Sequence, residues 1–169
     1  KAAEQWGAYD YKQEADLVRF TVTPRAVPAT ERMTFSFGNT TLDSTEVTLT
    51  WENLRISFPL QVDVNAKVLT DSRAAMATLA ADDFRTPLRA ATYCLDNNVN
   101  LDEARTWLAK SLAIKETMGN LVVKARLAAL DGEKKAAIAI ANKAIEVGKA
   151  ADPKADTAGA ERLIADWRK

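Results

Sequence analysis

An alternation of apolar and polar residues over positions 54–64 constrains the fold more than any other feature of this sequence. Every even position from Leu54 to Val64 is apolar, whereas the odd positions hold Arg, Ser, Pro, Gln and Asp. This period of two is typical of a β-strand with one face on a core and the other in water. Strand-like segments and turns precede this stretch, and helical patterns follow it. We therefore expect the architecture to change near Asn65.

The residues before this strand predict an antiparallel sheet of four or five strands. Residues 5–11 are rich in aromatic side chains, and apolar and polar residues alternate in 17–23, 33–37 and 47–51. Residues 38–41 form a predicted turn. Residues 52–53 are predicted to be a two-residue hairpin loop, because Asn tolerates the left-handed backbone conformation. One apolar face of this sheet needs a cover, so we expect a partial β-sandwich.

Apolar residues at helical spacing replace the alternation after Asn65. Residues that break helices separate the helical segments, among them Gly119, Gly132 and Pro153. The predicted fold class is α+β, with an antiparallel β region at 1–64 and a helical region at 65–169. The predicted helices lie at about 66–80, 86–97, 101–115, 120–130, 133–150 and 155–168.

The absence of histidine excludes several kinds of active site from these 169 residues. Neither a Ser-His-Asp nor a Cys-His-Asn triad can be assembled without it, and the commonest metal ligand is missing. The single cysteine, Cys94, can form neither an internal disulfide nor a zinc thiolate cluster, and we interpret it as a buried thiol. Lys plus Arg equals Asp plus Glu at 23 each, which gives no indication of a nucleic-acid partner. No metal, cofactor or membrane span is predicted.

Paired carboxylates keep a glycan hydrolase open as an alternative, because that chemistry needs no histidine. The tight acidic pairs after the sheet are Asp82–Asp83 and Asp102–Glu103. Adjacent residues on a helix do not face each other, and both pairs lie where a helix N-terminus favours acidic side chains. We therefore predict that these carboxylates cap helices.

The helical region contains an internal repeat. Ala104 corresponds to Ala137 and Ser111 to Ala144, at an offset of 33 each time. This pattern resembles the tetratricopeptide repeat, whose period is about 34. The resemblance implies a groove that binds a protein or peptide, and the predicted groove residues are Val122, Arg126 and Ala129. The alternative is that the helical hairpins serve only to pack.

An aromatic cluster near the start of the chain is a second candidate site. Trp6, Tyr9 and Tyr11 could form a platform for a carbohydrate, and Trp51 could extend it. The alternative is that these rings cover one end of the sheet. Trp107 and Trp167 lie on apolar helical faces, and we predict both to belong to the core.

The order of the segments resembles an uncharacterised bacterial family, called domain of unknown function two-nine-one-one. The resemblance rests on the segments at 5–11, 16–24, 33–37, 47–51 and 62–64 and on the helices that follow. It implies an extracytoplasmic protein, periplasmic or secreted, whose sheet is incomplete. We also expect this chain to be a mature or trimmed part of a longer precursor. The resemblance supplies no reaction.

Taken together, the sequence favours a non-enzymatic module of the cell envelope that binds a protein or peptide. The alternative is carbohydrate binding or a carboxylate-dependent glycan hydrolase. An open sheet edge predicts a homodimer, because unpaired backbone groups at such an edge invite pairing with another copy.

Overall fold

A computed structural model describes residues 9–169 and has a two-stranded antiparallel sheet followed by six helices. The α+β fold class predicted from the sequence is therefore confirmed. A short 3₁₀ turn at Gln13–Ala15 precedes the sheet. The elements are β1 (Arg25–Gly38), β2 (Ser44–Gln61), α1 (Val64–Ala77), α2 (Arg85–Asn97), α3 (Leu101–Ile114), α4 (Met118–Leu130), α5 (Lys134–Ala151) and α6 (Ala158–Trp167).

The two strands form one long hairpin whose turn lies at residues 39–43. Phe35 is opposite Leu49 and Phe37 is opposite Val47, and Asn39 takes the positive φ of 50° that the turn requires. The hairpin predicted at 52–53 is wrong, because β2 continues through these residues. Glu52 has a φ of 50° and lies at a register irregularity rather than in a loop. A residue with positive φ occurs both in β-bulges and in tight turns, which explains why a turn was predicted at 52–53.

The sheet is also smaller than predicted. Residues 17–23 are not a strand, and two strands replace the four or five expected within the described residues. Of the strand predicted at 5–11, the first residues lie outside the described part of the chain, and the remainder is not strand. No second sheet completes a sandwich within residues 9–169. The alternation of apolar and polar residues therefore predicted more paired strands than residues 9–169 contain.

The helices agree with the sequence patterns, and each end lies within three residues of its predicted position. Gly119 is an exception to the predicted connections, since it lies in the first turn of α4. Gly132 ends α4 with a φ of 83°, a backbone conformation that glycine adopts without strain. Asn98 and Asn100 have positive φ values in the connection from α2 to α3.

Small buried residues bring the repeat helices together. Ala104, Ala125, Ala137 and Ala144 all have a relative exposure of 0%, as does Ser111. Helices α2 and α3 form one antiparallel hairpin and α4 and α5 form the next, with α6 packed on α5. Close approach of two helices requires such small side chains. The predicted helical hairpins are therefore confirmed.

The chain divides into two compact units, 1–64 and 65–169. The core of the second unit has two clusters. One is centred on Cys94, Trp107 and Leu108, and the other is built from Ala125, Ala141 and Ile164. Among the described residues, no helix combines the length and the apolar character needed to cross a membrane.

Candidate functional site

The three residues predicted to line a binding groove lie together on one face of α4. Val122, Arg126 and Ala129 line two adjoining depressions, of about 580 and 420 Å³, which share Arg126 and Leu163. We call the two depressions together the α4 groove. Its remaining lining residues come from α4, α6 and the C-terminal end of α2, and they are Met118, Gly119, Leu130, Gly159, Ala160, Trp167, Leu95 and Asn98.

The helical periodicity of α4 explains why these residues share a face. Positions 122, 126 and 129 follow the four-residue and three-residue spacing of one helical surface. Leu121, Ala125 and Leu127 are buried, so other faces of α4 pack against neighbouring helices. The groove side is half-buried and consists mainly of apolar atoms. Packing thus leaves one face of α4 free to line a groove.

Gly119 and Gly159, each in the first turn of a helix, line the groove. A methyl group added at Gly159 would meet no atom within 4 Å, and one added at Gly119 would make only ordinary contact with Leu88 and Thr117. Leu163 and Trp167 are half-buried and form apolar walls. The prediction that Trp167 belongs to the core is therefore only partly right, because this side chain also lines the groove. Trp107 is buried, as predicted.

Arg126 is a cation at the junction of the two depressions. Its guanidinium donates a hydrogen bond of 2.7 Å to the carboxylate of Asp96, at the end of α2. Both side chains are partly exposed, so the ion pair stabilises the fold by at most about 1 kcal/mol. Because this stabilisation is small, a ligand carboxylate could compete for the guanidinium at little energetic cost.

The predicted aromatic platform is described only in part, because Trp6 lies outside the described residues. Tyr9 and Tyr11 are both exposed, at 84% and 51%. The hydroxyl of Tyr11 donates to Asp16 and accepts a hydrogen bond from Arg19. The Arg19 guanidinium, which also contacts Asp16, lowers the pKa of that carboxyl. The ring of Tyr11 is thus held by a local cluster of polar groups.

Two of the four acidic residues considered for hydrolysis, Asp83 and Glu103, make structural contacts. Asp83 accepts hydrogen bonds from the backbone N–H groups of Arg85 and Thr86, and it also accepts one from the Thr86 hydroxyl, which lowers the pKa of Asp83. Glu103 is bound by Arg73 at 2.6 Å and by Asn100, and these hydrogen bonds lower its pKa to about 2. A general acid needs the opposite shift, towards neutral pH. These two carboxylates are therefore poorly suited to donate a proton.

A buried polar cluster escaped the sequence analysis. Asn120 is fully buried, and its side-chain amide donates to the carbonyl of Lys115 and to the hydroxyl of Ser111. The Ser111 hydroxyl donates to the carbonyl of Phe84, and the backbone N–H of Thr117 donates to Asn120. Ser111 lies at a position where the repeat favours alanine. This polar residue at a buried position was the feature of the sequence that could have indicated the cluster. The cluster fixes the first turn of α4, from which the groove begins.

Cys94 is buried, as predicted, and burial raises the pKa of its thiol. Within residues 9–169, no group of three or more Cys, Asp or Glu side chains is arranged to hold a metal ion. The α4 groove is the depression of the described residues that the predicted groove residues line.

The fold and this groove define a chain in which a two-stranded β-hairpin is followed by helical hairpins. Residues 1–60 match the model of the family described as Protein of unknown function (DUF2911). The family recognised in the sequence is thus confirmed over the β region. No curated protein matches the chain, and no solved structure does.

Proposed function

We propose that the helical unit is a non-enzymatic binding module that holds a segment of another protein in the α4 groove. The observation that carries this proposal is the continuity of the groove across α2, α4 and α6 through Arg126 and Leu163. Each depression exceeds about 300 Å³, the lower end of the range for ligand sites. Grooves of this kind accept an amphipathic helix or an extended peptide through a few apolar anchors.

The chemistry of the groove specifies the kind of segment that it would bind. Leu163 and Trp167 offer apolar surface, and the open space above Gly159 leaves room for an incoming side chain. Arg126 adds a cation that can pair with a carboxylate. We therefore expect a ligand with apolar side chains on one face and an acidic residue near its middle.

Selection from a random peptide library displayed on phage tests this proposal, followed by calorimetry on the selected peptides. Gly159→Leu should fill the groove without a clash, because the space beyond Gly159 is empty. We expect it to weaken binding by about tenfold or more, which corresponds to about 1.4 kcal/mol. Arg126→Glu should weaken the binding of acidic peptides most strongly, because it reverses the charge at the junction.

Ala165→Leu is the matched control, since Ala165 is an exposed residue of α6 that does not line the groove. It adds the same side chain to the same helix and should leave affinity unchanged. Selected peptides that bind wild type, Gly159→Leu and Ala165→Leu equally would refute the assignment of the groove. A selection that recovers no peptide above background would count against the binding function itself.

The exposure of Tyr9 and Tyr11 favours carbohydrate binding as a second candidate function. Exposed aromatic rings can stack on sugar rings, and Tyr11 is held in place by Asp16 and Arg19. A glycan array should then show binding that Tyr9→Ala and Tyr11→Ala abolish and that Arg126→Glu leaves intact. An array without binding would remove this candidate.

We further propose, from the family resemblance, that the protein acts in the bacterial cell envelope. Fractionation of the native host should recover it outside the cytoplasm, in the periplasm or the medium. Recovery with a cytoplasmic marker enzyme would contradict this location.

A further inference from the structure

The hairpin of β1 and β2 has one face made of apolar side chains that are largely exposed. Directly opposite residues share a face of a sheet, and so do alternate residues along a strand. The pairs Phe35–Leu49 and Phe37–Val47 therefore define one face, which Met33 and Trp51 extend along their strands. The exposed fractions are 59% for Met33, 67% for Phe35, 71% for Phe37 and 52% for Trp51. We call these six side chains the ribbon face.

The ribbon face is large enough for a stable interface. A fully buried aromatic side chain covers about 150–250 Å², so at these exposed fractions the three aromatic rings leave about 400 Å² open to solvent. Met33 and the partly buried Val47 and Leu49 raise the apolar area to about 600 Å². A standard interface buries about 800 Å² per partner, of which a little over half, or about 450 Å², is apolar. The ribbon face therefore exceeds the apolar share that a standard interface needs.

We propose that two copies of this chain pack their ribbon faces together and form a dimer. A two-stranded hairpin is only marginally stable in water unless another layer covers its apolar face. Face-to-face packing of two hairpins at about 10 Å supplies that layer. The two layers of a β-sandwich are then contributed by two copies.

The distribution of charge favours a second copy as the occupant. None of the six side chains of the ribbon face is ionisable, so an identical face would bury no charge. The polar residues of the same segments, such as Thr34, Ser36, Thr48 and Thr50, occupy the alternate positions and lie on the opposite face. An interface between identical faces is self-complementary, as a twofold dimer requires.

The edge of β1 that pairs with no other strand among residues 9–169 is a poorer surface for association than the ribbon face. Pro28 lies within β1 and has no N–H to donate, and two register shifts interrupt the strand between Ala26 and Thr34. Such features are typical of edges that resist pairing with another strand. The proline within β1 and the two register shifts are therefore both consistent with dimerisation through the ribbon face rather than through the edge of β1.

Light scattering on the full chain, measured over a range of concentrations, tests the proposal. Wild type should have twice the chain mass of 18.5 kDa. Phe35→Lys places a charge at the centre of the ribbon face and should raise the dimer dissociation constant by about thirtyfold or more. Ser36→Lys is the matched control, because it adds the same charge one residue along on the opposite face, and it should remain dimeric. Circular dichroism checks that all three proteins are folded.

The oxidation rate of Met33 by hydrogen peroxide provides a second measurement. This rate follows the exposure of the sulfur, so it should be low in the wild-type dimer and should rise in Phe35→Lys. A wild-type monomer at all concentrations overturns the proposal. If Met33 is protected in that monomer, residues of the same chain cover the ribbon face instead. If Phe35→Lys leaves the dimer dissociation constant unchanged, the proposal is also overturned, because the interface would then lie outside the ribbon face.

Discussion

The buried amide of Asn120 should make a large contribution to the stability of the helical unit. Its side chain takes part in three hydrogen bonds, to the Lys115 carbonyl at 2.7 Å, the Thr117 N–H at 2.8 Å and the Ser111 hydroxyl at 3.1 Å. Asn120→Ala removes all three and leaves buried or half-buried groups without these partners. At about 1 kcal/mol for each bond, less up to about 0.7 kcal/mol for the higher helix propensity of Ala, the expected loss is about 2–3 kcal/mol.

Urea unfolding followed by circular dichroism of the helices measures this loss. With a slope of about 1–3 kcal/mol per molar urea, the midpoint should fall by about 0.7–3 M. Asn97→Ala is the matched control, since Asn97 donates a single hydrogen bond to the Tyr93 carbonyl within its own helix. We expect the control to cost about 0.5 kcal/mol, the lower end for one hydrogen bond.

A double-mutant cycle with Ser111→Ala tests whether the cluster acts as a unit. Ser111 accepts from Asn120 and donates to the Phe84 carbonyl at 2.8 Å, so its removal affects both contacts. The effects of the two substitutions should be non-additive by about 0.5–1 kcal/mol, as neighbouring residues in one network usually are. A loss below about 0.5 kcal/mol for Asn120→Ala, or strict additivity in the cycle, would refute the reasoning.

Three further predictions follow from single contacts. Because the pKa of Glu103 is lowered from 4.5 to about 2, its ion pair stabilises the fold fully above about pH 4.5 and is lost as the pH falls towards 2. Because this site is partly exposed, Glu103→Gln should cost about 0.5–1 kcal/mol at neutral pH and progressively less as the pH falls through 2, and a pH-independent difference in urea midpoints would contradict this. The thiol of Cys94 should react with a disulfide reagent only in denaturant, and rapid reaction of the folded protein would show that it is accessible. Gly148→Ala should destabilise by about 1 kcal/mol, because the new methyl would lie 2.6 Å from the sulfur of Met118, whereas Gly159→Ala has open space and should be neutral or slightly stabilising in thermal melts.

The helices could be predicted from the sequence because the contacts that determine them are close along the chain. Ala104 and Ala137 recur at one repeat length, and both are fully buried where α3 and α5 pack against neighbouring helices. The same periodicity predicts that Val122, Arg126 and Ala129 share one face of α4. The ion pair between Arg126 and Asp96 could not be predicted in this way. The packing of α2 against α4 brings these two side chains together, and no spacing along the sequence indicates that packing.

The β-hairpin was predicted less well because two different structures share one local pattern. The apolar positions change from odd numbers at Val47–Trp51 to even numbers at Leu54–Val64, and a turn or a bulge can both produce such a change. An Asn at position 53 favoured the turn. The structure instead gives the positive φ to Glu52 and continues the strand, and the turn of the hairpin forms at Asn39, within the turn predicted at 38–41. The pairing of residues across the hairpin decides between a turn and a bulge at residues 52–53. That pairing depends on residues that are distant along the chain.

The pattern of apolar residues indicates which face of a helix or strand tends to be buried, but it does not indicate which other residues bury that face. In the helical unit the cover comes from the adjacent repeat, so the buried positions could be predicted and Ala125 and Ala144 are fully buried. In the hairpin the same reasoning correctly identified Phe35 and Phe37 as one apolar face, yet both remain more than half exposed. A face of this size is unfavourable in water, because each Å² of apolar surface left exposed costs about 25 cal/mol. The same cost that makes alternation a sign of a strand therefore favours a cover for this face, and the proposed second copy, with an identical uncharged face, would provide that cover without burying a charge.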